Sequence, residues 1–263
     1  MLTRSPLRFP FLLAVLFPLG ACSAPRVEVM PRIQRAELGG SFAGNSSGVT
    51  LAKNDVVSDL GLGETSDEFG ARADLVVGGS TFTFAYSPAS FSGNGTLNGD
   101  VSQGGTTIPA GTAVATDLKM DVGSAIWTHD FVPGDAFELG LGLGVHWVDF
   151  HSTMTDGTNT ETFDQVAPIP VLALRGGAAF GPFDVSALVS GIKAKASGDE
   201  FTFLDTDLMG RWHFFGGVAG ALSGALILGW HRTDVELDYT DSSDHIDANF
   251  NVSGLYYGLS IGF

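Results

Sequence analysis

The chain has 263 residues, and its 13 Lys+Arg against 29 Asp+Glu give a net charge of -16, which argues against nucleic acid as a partner. Its 44% hydrophobic residues exclude disorder, while 36 glycines, 20 phenylalanines and only 16% charged residues make it more apolar and glycine-rich than ordinary soluble domains. The single cysteine, Cys22, excludes an internal disulfide.

Residues 1–21 combine Arg4 and Arg8 with the apolar run Phe9 to Leu19 and the small residues Gly20 and Ala21, the pattern of a secretory signal peptide. The run is too short and too Pro-interrupted for a spanning helix. Leu19-Gly20-Ala21-Cys22 resembles the lipobox of bacterial lipoproteins, which implies lipidation at Cys22. Ser23 in the second position, rather than Asp, is compatible with transport to the outer membrane. Residues 22–35, with Pro25, Pro31 and alternating charge, read as a lipid-anchored tether, and the barrel domain is expected over 36–263.

From residue 36 the apolar signal has period 2. Residues 69–77 set Phe69, Ala71, Ala73, Leu75 and Val77 against Arg72 and Asp74. Residues 81–87 set Phe82, Phe84 and Tyr86 against Thr81, Thr83 and Ala85. Over 117–126, Leu118, Met120, Val122 and Ile126 are expected to face lipid, with Asp117, Lys119 and Asp121 in the lumen. Residues 137–147 place Phe137, Leu139, Leu141, Leu143, Val145 and Trp147 opposite Glu138, Gly140, Gly142, Gly144 and His146. A sandwich would cover its outer face with polar side chains, not three glycines. Residues 183–189 oppose Phe183, Val185, Ala187 and Val189 to Asp184 and Ser186. Phe214 to Trp230 is uncharged, but its glycines make it a poor helix and divide it into strand, turn and strand. Tight turns near 78–80, 132–135, 181–182 and 216–220 alternate with polar loops near 45–67, 93–112, 153–164, 197–200 and 239–246. The fold class is therefore all-β, a transmembrane antiparallel up-and-down β-barrel of about ten strands, with eight as the alternative and both termini periplasmic.

The last strand sets Leu255, Tyr257, Leu259, Ile261 and Phe263 on one face and ends the chain on Phe. This resembles the terminal strand of Gram-negative outer-membrane proteins, and residues 34–263 resemble the small OmpA-like, OmpW-like and opacity-type barrels. The resemblance implies an outer-membrane location, outer-membrane lipid and lipopolysaccharide as surroundings, contact with the barrel-assembly machinery during biogenesis, and a monomer. Aromatics near strand ends fit interfacial girdles: Phe131, Phe137, Phe180, Phe183, Trp212, Phe214 and Phe263 at the turn end, and Trp147, Phe150, Trp230 and Tyr239 toward the loops.

The lumen-lining candidates are Arg72, Asp74, Asp117, Lys119, Asp121, Glu138, His146, Arg175, Asp184, Asp205, Asp207, Arg211 and His213. Their mixed signs favour an interior ion-pair network. Asp234, Glu236, Asp238, Asp241, Asp244 and Asp247 form an acidic run that would hold a divalent cation only weakly, since it lacks an EF-hand's glycine and terminal Glu. Asp205, Asp207, His146, His151, His231 and Ser152 are the groups from which a rim hydrolase would be built, yet no zinc spacing, phosphate loop or nucleophile elbow is present. No cofactor is expected. The leading expectation is a structural or surface-binding barrel of the envelope, not an enzyme. The alternatives are a narrow porin-like channel for small solutes or cations, a barrel enzyme acting on lipid or peptide, and a periplasmic β-sandwich lipoprotein.

Overall fold

The structure, a computed structural model, describes residues 25–46, 49–50, 52–63, 65–103, 106–132, 136–196, 199–216, 222–241 and 244–263. The signal segment and Cys22 lie outside the described residues. Ten long strands form the wall: β1 (Arg26–Ser46), β2 (Ser66–Val77), β3 (Ser80–Thr96), β4 (Ala113–Val132), β5 (Phe137–Thr155), β6 (Thr160–Phe180), β7 (Phe183–Ala196), β8 (Asp199–Phe215), β9 (Ser223–Asp241) and β10 (Asp244–Gly262). Each pairs antiparallel with the next, and β10 returns to pair with β1, so the sheet closes on itself. Val49–Thr50 and Asn54–Asp55 add short pairings to β1, and Val101–Gln103 pairs with Thr106–Ile108 in a small hairpin.

The start of β1, the end of β10 and the joins after β2, β4, β6 and β8 lie at one end, here the terminal end. Gly78 (φ 60°) and Gly181 (φ 64°) take the left-handed conformation that its two tightest turns require. The five other connections lie at the opposite, loop end. Phe214 to Trp230 contains the end of β8 and the start of β9, and no helix in the described residues is long and apolar enough to cross a membrane.

Two boundaries differ from the sequence reading. The wall begins at Arg26, so residues 26–35, expected as tether, belong to β1 and pair with both β10 and β2. Pro31 is accommodated within the strand, and the alternation of Val27, Val29 and Ile33 outside with Glu28, Arg32 and Gln34 inside is the same period-2 signal found elsewhere. The expected loop at 153–164 is mostly strand: β5 and β6 run to Thr155 and from Thr160. Wall strands of 19 to 21 residues, as in β1, β5 and β10, extend roughly 65 Å at about 3.3 Å per residue, twice what a tilted membrane-crossing strand needs.

The same inward positions change character along that length. Toward the terminal end they are polar and charged. Toward the loop end they are apolar: Ala36, Leu38, Phe91, Val114, Leu118, Met120, Val122, Val148, Ile169, Val171, Phe203 and Val252 are buried in one cluster. Val56, Leu60, Leu62, Leu97 and Ile108, from the two longest connections, join it. Those connections therefore fold over the mouth as a plug. Asn54 ties them together, its Oδ1 accepting from the Asn98 and Gly99 N–H groups (2.9 Å each).

Candidate functional site

Seen from outside, the barrel carries an apolar belt at the terminal half. Its lower edge is ringed by exposed Phe131, Phe137, Phe180, Phe183, Trp212, Phe214 and Phe263. Its upper edge falls where Tyr86, Gly123, Trp147 and Pro168 stand in register across β3 to β6. Gly123 is required there, because a Cβ would come within 2.0 Å of the Trp147 indole. Between these edges the outward run is Phe137 to Trp147 on β5 and Leu255 to Phe263 on β10, about nine to eleven residues, the length a tilted strand uses to cross a bilayer. The five alternating residues of the last strand, Leu255, Tyr257, Leu259, Ile261 and Phe263, all face outward and exposed.

Above the belt the outer face turns polar. Lys119 pairs with Asp121 (3.0 Å), Arg232 with Asp234 (2.6 Å), His151 with Asp164 (2.7 Å) and Lys53 with Asp247 (2.6 Å), while Glu200 receives both Lys193 and Lys195. Asp117, Lys119 and Asp121 are thus on the outer wall and not in the lumen, while Leu118, Met120, Val122 and Ile126 point inward. The cause is the height of the barrel. Above the belt the solvent outside is no longer apolar, so the apolar face packs inward as in a soluble protein. Phe150 follows the same rule: it sits inside against Phe163 and Phe250, at 5.7 and 5.9 Å between ring centroids.

Behind the belt lies an ion-paired interior. Asp207 receives Arg32 Nη1 at 2.9 Å, stands 3.5 Å from Arg72 Nη1, and accepts the Tyr256 hydroxyl. Arg72 also reaches Asp74 (2.9 Å), and Arg32 also donates to Ser87 (2.7 Å). Arg211 spans Glu28 (2.8 Å) and Asp184 (2.6 Å), with His213 against the second oxygen of Asp184 (2.6 Å) and Ser260 donating to Glu28. Arg175 reaches Glu138 (2.9 Å) and Thr81. His231 stands between Asp205 (2.9 Å) and Gln34 (3.3 Å), and His146 meets Ser190 (2.8 Å). Pairing of this density is what offsets removing charges from water at membrane depth.

Ten of the thirteen lumen candidates are therefore interior: Arg72, Asp74, Glu138, His146, Arg175, Asp184, Asp205, Asp207, Arg211 and His213. The sequence reading missed Glu28, Arg32 and Gln34, which it had assigned to the tether, and their strand alternation was the signal that would have found them. Of the groups considered for a rim hydrolase, His146, Asp205, Asp207 and His231 converge on one interior cavity of about 20 Å³, together with Arg32, Arg72 and Ser87. That volume holds a water and little more. His151 is instead on the outer wall. Of the acidic run, Asp234 and Asp247 are taken up in ion pairs, the side chains of Asp241 and Asp244 lie outside the described residues, and no group of three or more potential metal ligands occurs among the described residues.

A closed antiparallel ten-strand sheet with an aromatic-edged apolar exterior and an ion-paired interior is the architecture of outer-membrane β-barrels. Scans against protein-family models and against curated proteins give no match. Among solved structures the chain is similar to the outer membrane protease OmpT from Escherichia coli, with a TM-score of 0.51 and 11% identity over 90% of this chain and 97% of that one. A FadL homologue from Pseudomonas aeruginosa aligns with a TM-score of 0.33 and 10% identity, over 91% of this chain and 90% of that one. At these identities the likeness is one of fold.

Proposed function

We propose that this protein is an outer-membrane barrel of a Gram-negative envelope that serves as a structural, surface-presenting element, with its termini in the periplasm and its loop end outside. One observation carries the reading: the interior is filled at two levels, by the ion-paired network behind the belt and by the apolar plug above it. A porin-like path would need a continuous polar lumen, and the apolar level interrupts it. A hydrolase would need its acid and base open to substrate, whereas Asp205 and His231 are buried. The tall loop half, plugged by the apolar cluster, would hold its charged outer wall clear of the membrane, where lipopolysaccharide and other surface molecules are within reach. Lipidation at Cys22 would add an anchor just before β1.

Two measurements test this. The purified protein is expected to migrate faster on unboiled than on boiled gels and to resist carbonate extraction; loss of both properties would overturn the membrane reading. In planar bilayers it is expected to leave the conductance at baseline, and discrete steps scaling with salt concentration would show a channel instead. For the anchor, Cys22→Ala is expected to abolish acyl labelling, and unchanged labelling would refute it.

A further inference from the structure

Two polar atoms of the interior stay unpaired at the same place. Among the described residues, Arg32 Nε and His146 Nδ1 are enclosed and have no hydrogen-bond partner. Each residue is 2% exposed, and both line the interior cavity of about 20 Å³. Their remaining groups are taken. Arg32 gives Nη1 to Asp207 and Nη2 to Ser87, at 2.9 and 2.7 Å, and His146 Nε2 meets Ser190 at 2.8 Å. Asp205, on the same cavity, has accepting capacity to spare: His231 and Thr233 both bond to its Oδ2, at 2.9 and 2.7 Å, which leaves Oδ1. A buried donor or acceptor without a partner is costly, so these groups call for one.

The wall explains why no side chain supplies it. The lining comes from eight of the ten wall strands, all but β6 and β10, so the cavity lies near the barrel axis. On the β3–β4 side the inward residues are short, Ala85 and Ser124 standing in register across the ladder. The long side chains opposite, Arg32 and Arg72, are drawn to Asp207.

The lining also selects the occupant. An anion would meet the carboxylates of Asp205 and Asp207, and a cation the guanidinium groups of Arg32 and Arg72. Organic molecules exceed the space. One water needs about 10–15 Å³ and makes about three hydrogen bonds when buried. It can accept from Arg32 Nε and donate to Asp205 Oδ1, and it serves His146 Nδ1 whether or not that nitrogen carries the proton.

We propose that this cavity is a binding site for one ordered water, held by Arg32 Nε, His146 Nδ1 and Asp205 Oδ1. The water joins the His146–Ser190 pair and the Asp205–His231 pair to the Arg32–Asp207–Arg72 cluster, making one hydrogen-bonded network about the barrel axis. The test is radiolytic footprinting of the full chain, refolded in phosphatidylcholine vesicles, with millisecond X-ray pulses and residue-by-residue mass spectrometry. Hydroxyl radicals formed from a bound water oxidise the side chains beside it, however deeply buried. Ile126 and Leu188 line the cavity, whereas Leu118 and Ile169 are equally buried in the apolar cluster above it. Oxidation is expected at Ile126 and Leu188, with Leu118 and Ile169 at background. Ala85→Leu puts a larger side chain into the cavity and is expected to bring Ile126 and Leu188 down to that background, while His151 on the outer wall stays oxidised. Background oxidation of Ile126 and Leu188 in the unaltered chain would overturn the water site, and equal oxidation of all four residues would overturn it as diffuse hydration. Cavity oxidation that persists in an Ala85→Leu barrel with the normal gel mobility shift would equally refute it. Should that variant fail to assemble, the contrast between the two residue pairs in the unaltered chain alone decides.

Discussion

Asp207→Ala should be the most damaging single truncation in the barrel interior. Its carboxylate faces Arg32 and Arg72, whose side chains are 1% and 3% exposed, and it accepts the Tyr256 hydroxyl. Arg72 keeps Asp74 after the change, but Arg32 keeps only the Ser87 hydroxyl and the face of the Tyr256 ring, neither of them charged, so one buried guanidinium loses its counter-charge. Breaking a buried pair in this way costs about 3–5 kcal/mol, while the Tyr256 hydroxyl falls back on the Leu208 carbonyl at 3.3 Å. A loss of about 4 kcal/mol raises the unfolding equilibrium constant nearly a thousandfold. The assay is urea unfolding of the refolded protein in lipid vesicles, followed by tryptophan fluorescence and by the gel mobility shift. Asp234→Ala is the control: it breaks the Arg232 pair on the outer wall, with side chains 42% and 32% exposed, and should cost no more than about 1 kcal/mol. Arg32→Met placed on Asp207→Ala should recover part of the loss, because it removes the stranded charge. If Asp207→Ala unfolds within about 1 kcal/mol of the parent, or no more readily than Asp234→Ala, the interior network does not stabilise the barrel in the way argued.

Further outcomes follow from the belt and the loops. Leu228→Arg, at an outward position 63% exposed within the belt, should cost about 2–4 kcal/mol in vesicles, while Asp117→Arg above the belt should be nearly silent; equal effects would show that the belt is misplaced. Gly123→Val should drive the Trp147 indole off the wall, costing about 1–3 kcal/mol and shifting tryptophan emission, and an unchanged spectrum would contradict the packing. At the β5–β6 connection, the Asp156 carboxylate accepts the Asn159 and Thr158 N–H groups at 2.6 and 2.7 Å, which hold its pKa below the usual carboxylate value. Because the folded pKa is lowered, that support is full above the unfolded value near about 3.9 and is lost as pH falls through the folded value. Amide exchange at Thr158 and Asn159 should therefore accelerate in Asp156→Ala at neutral pH, and in the parent only below the ordinary carboxylate range; equal exchange in the two at neutral pH would remove the carboxylate from the turn.

Strand identity and the two-faced character of the wall were legible from the period-2 pattern, because alternation is set by backbone geometry alone. Which face looks inward is a different question, and the pattern answers it only together with the solvent outside. At Phe137 to Trp147 that solvent is lipid and the assumption of apolar-outward holds; at Asp117 to Val122 it is water, and the same assumption turns the strand inside out. Nothing local separates the two cases, since each is a clean alternation. What distinguishes them is distance from the aromatic edge at Trp147, a long-range register that pairing across β3 to β6 reveals. The interior site was half legible for the same reason. Asp205, Asp207 and Arg211 fell within the stretch read as barrel, whereas Arg32, the partner of Asp207 from 175 residues away in sequence, sat directly after Pro31 in a segment whose two prolines suggested a linker. That β6 stops pairing with β7 at Leu172↔Gly191 while it stays paired with β5 to Thr160↔Thr155 was not legible at all, because Pro168 and Pro170 interrupt only one of the two ladders that β6 enters.

The closing seam has a consequence for how the molecule is made. β1 pairs with β10 from Glu28↔Gly262 to Asn45↔His245, and Val27 and Phe263 exchange backbone hydrogen bonds at its base. The first wall strand must therefore wait for the last. Until the final residues are delivered, a nine-strand intermediate would expose two long edges, each a template for aggregation. Arg32 and Glu28, both on the waiting strand, find their ionic partners on β8, so charge satisfaction arrives at about the same step as closure. Contacts of such sequence separation fold slowly. The chain consequently has a late, all-or-none commitment step, and deletion of β10 should leave an assembly-incompetent sheet and not a smaller barrel.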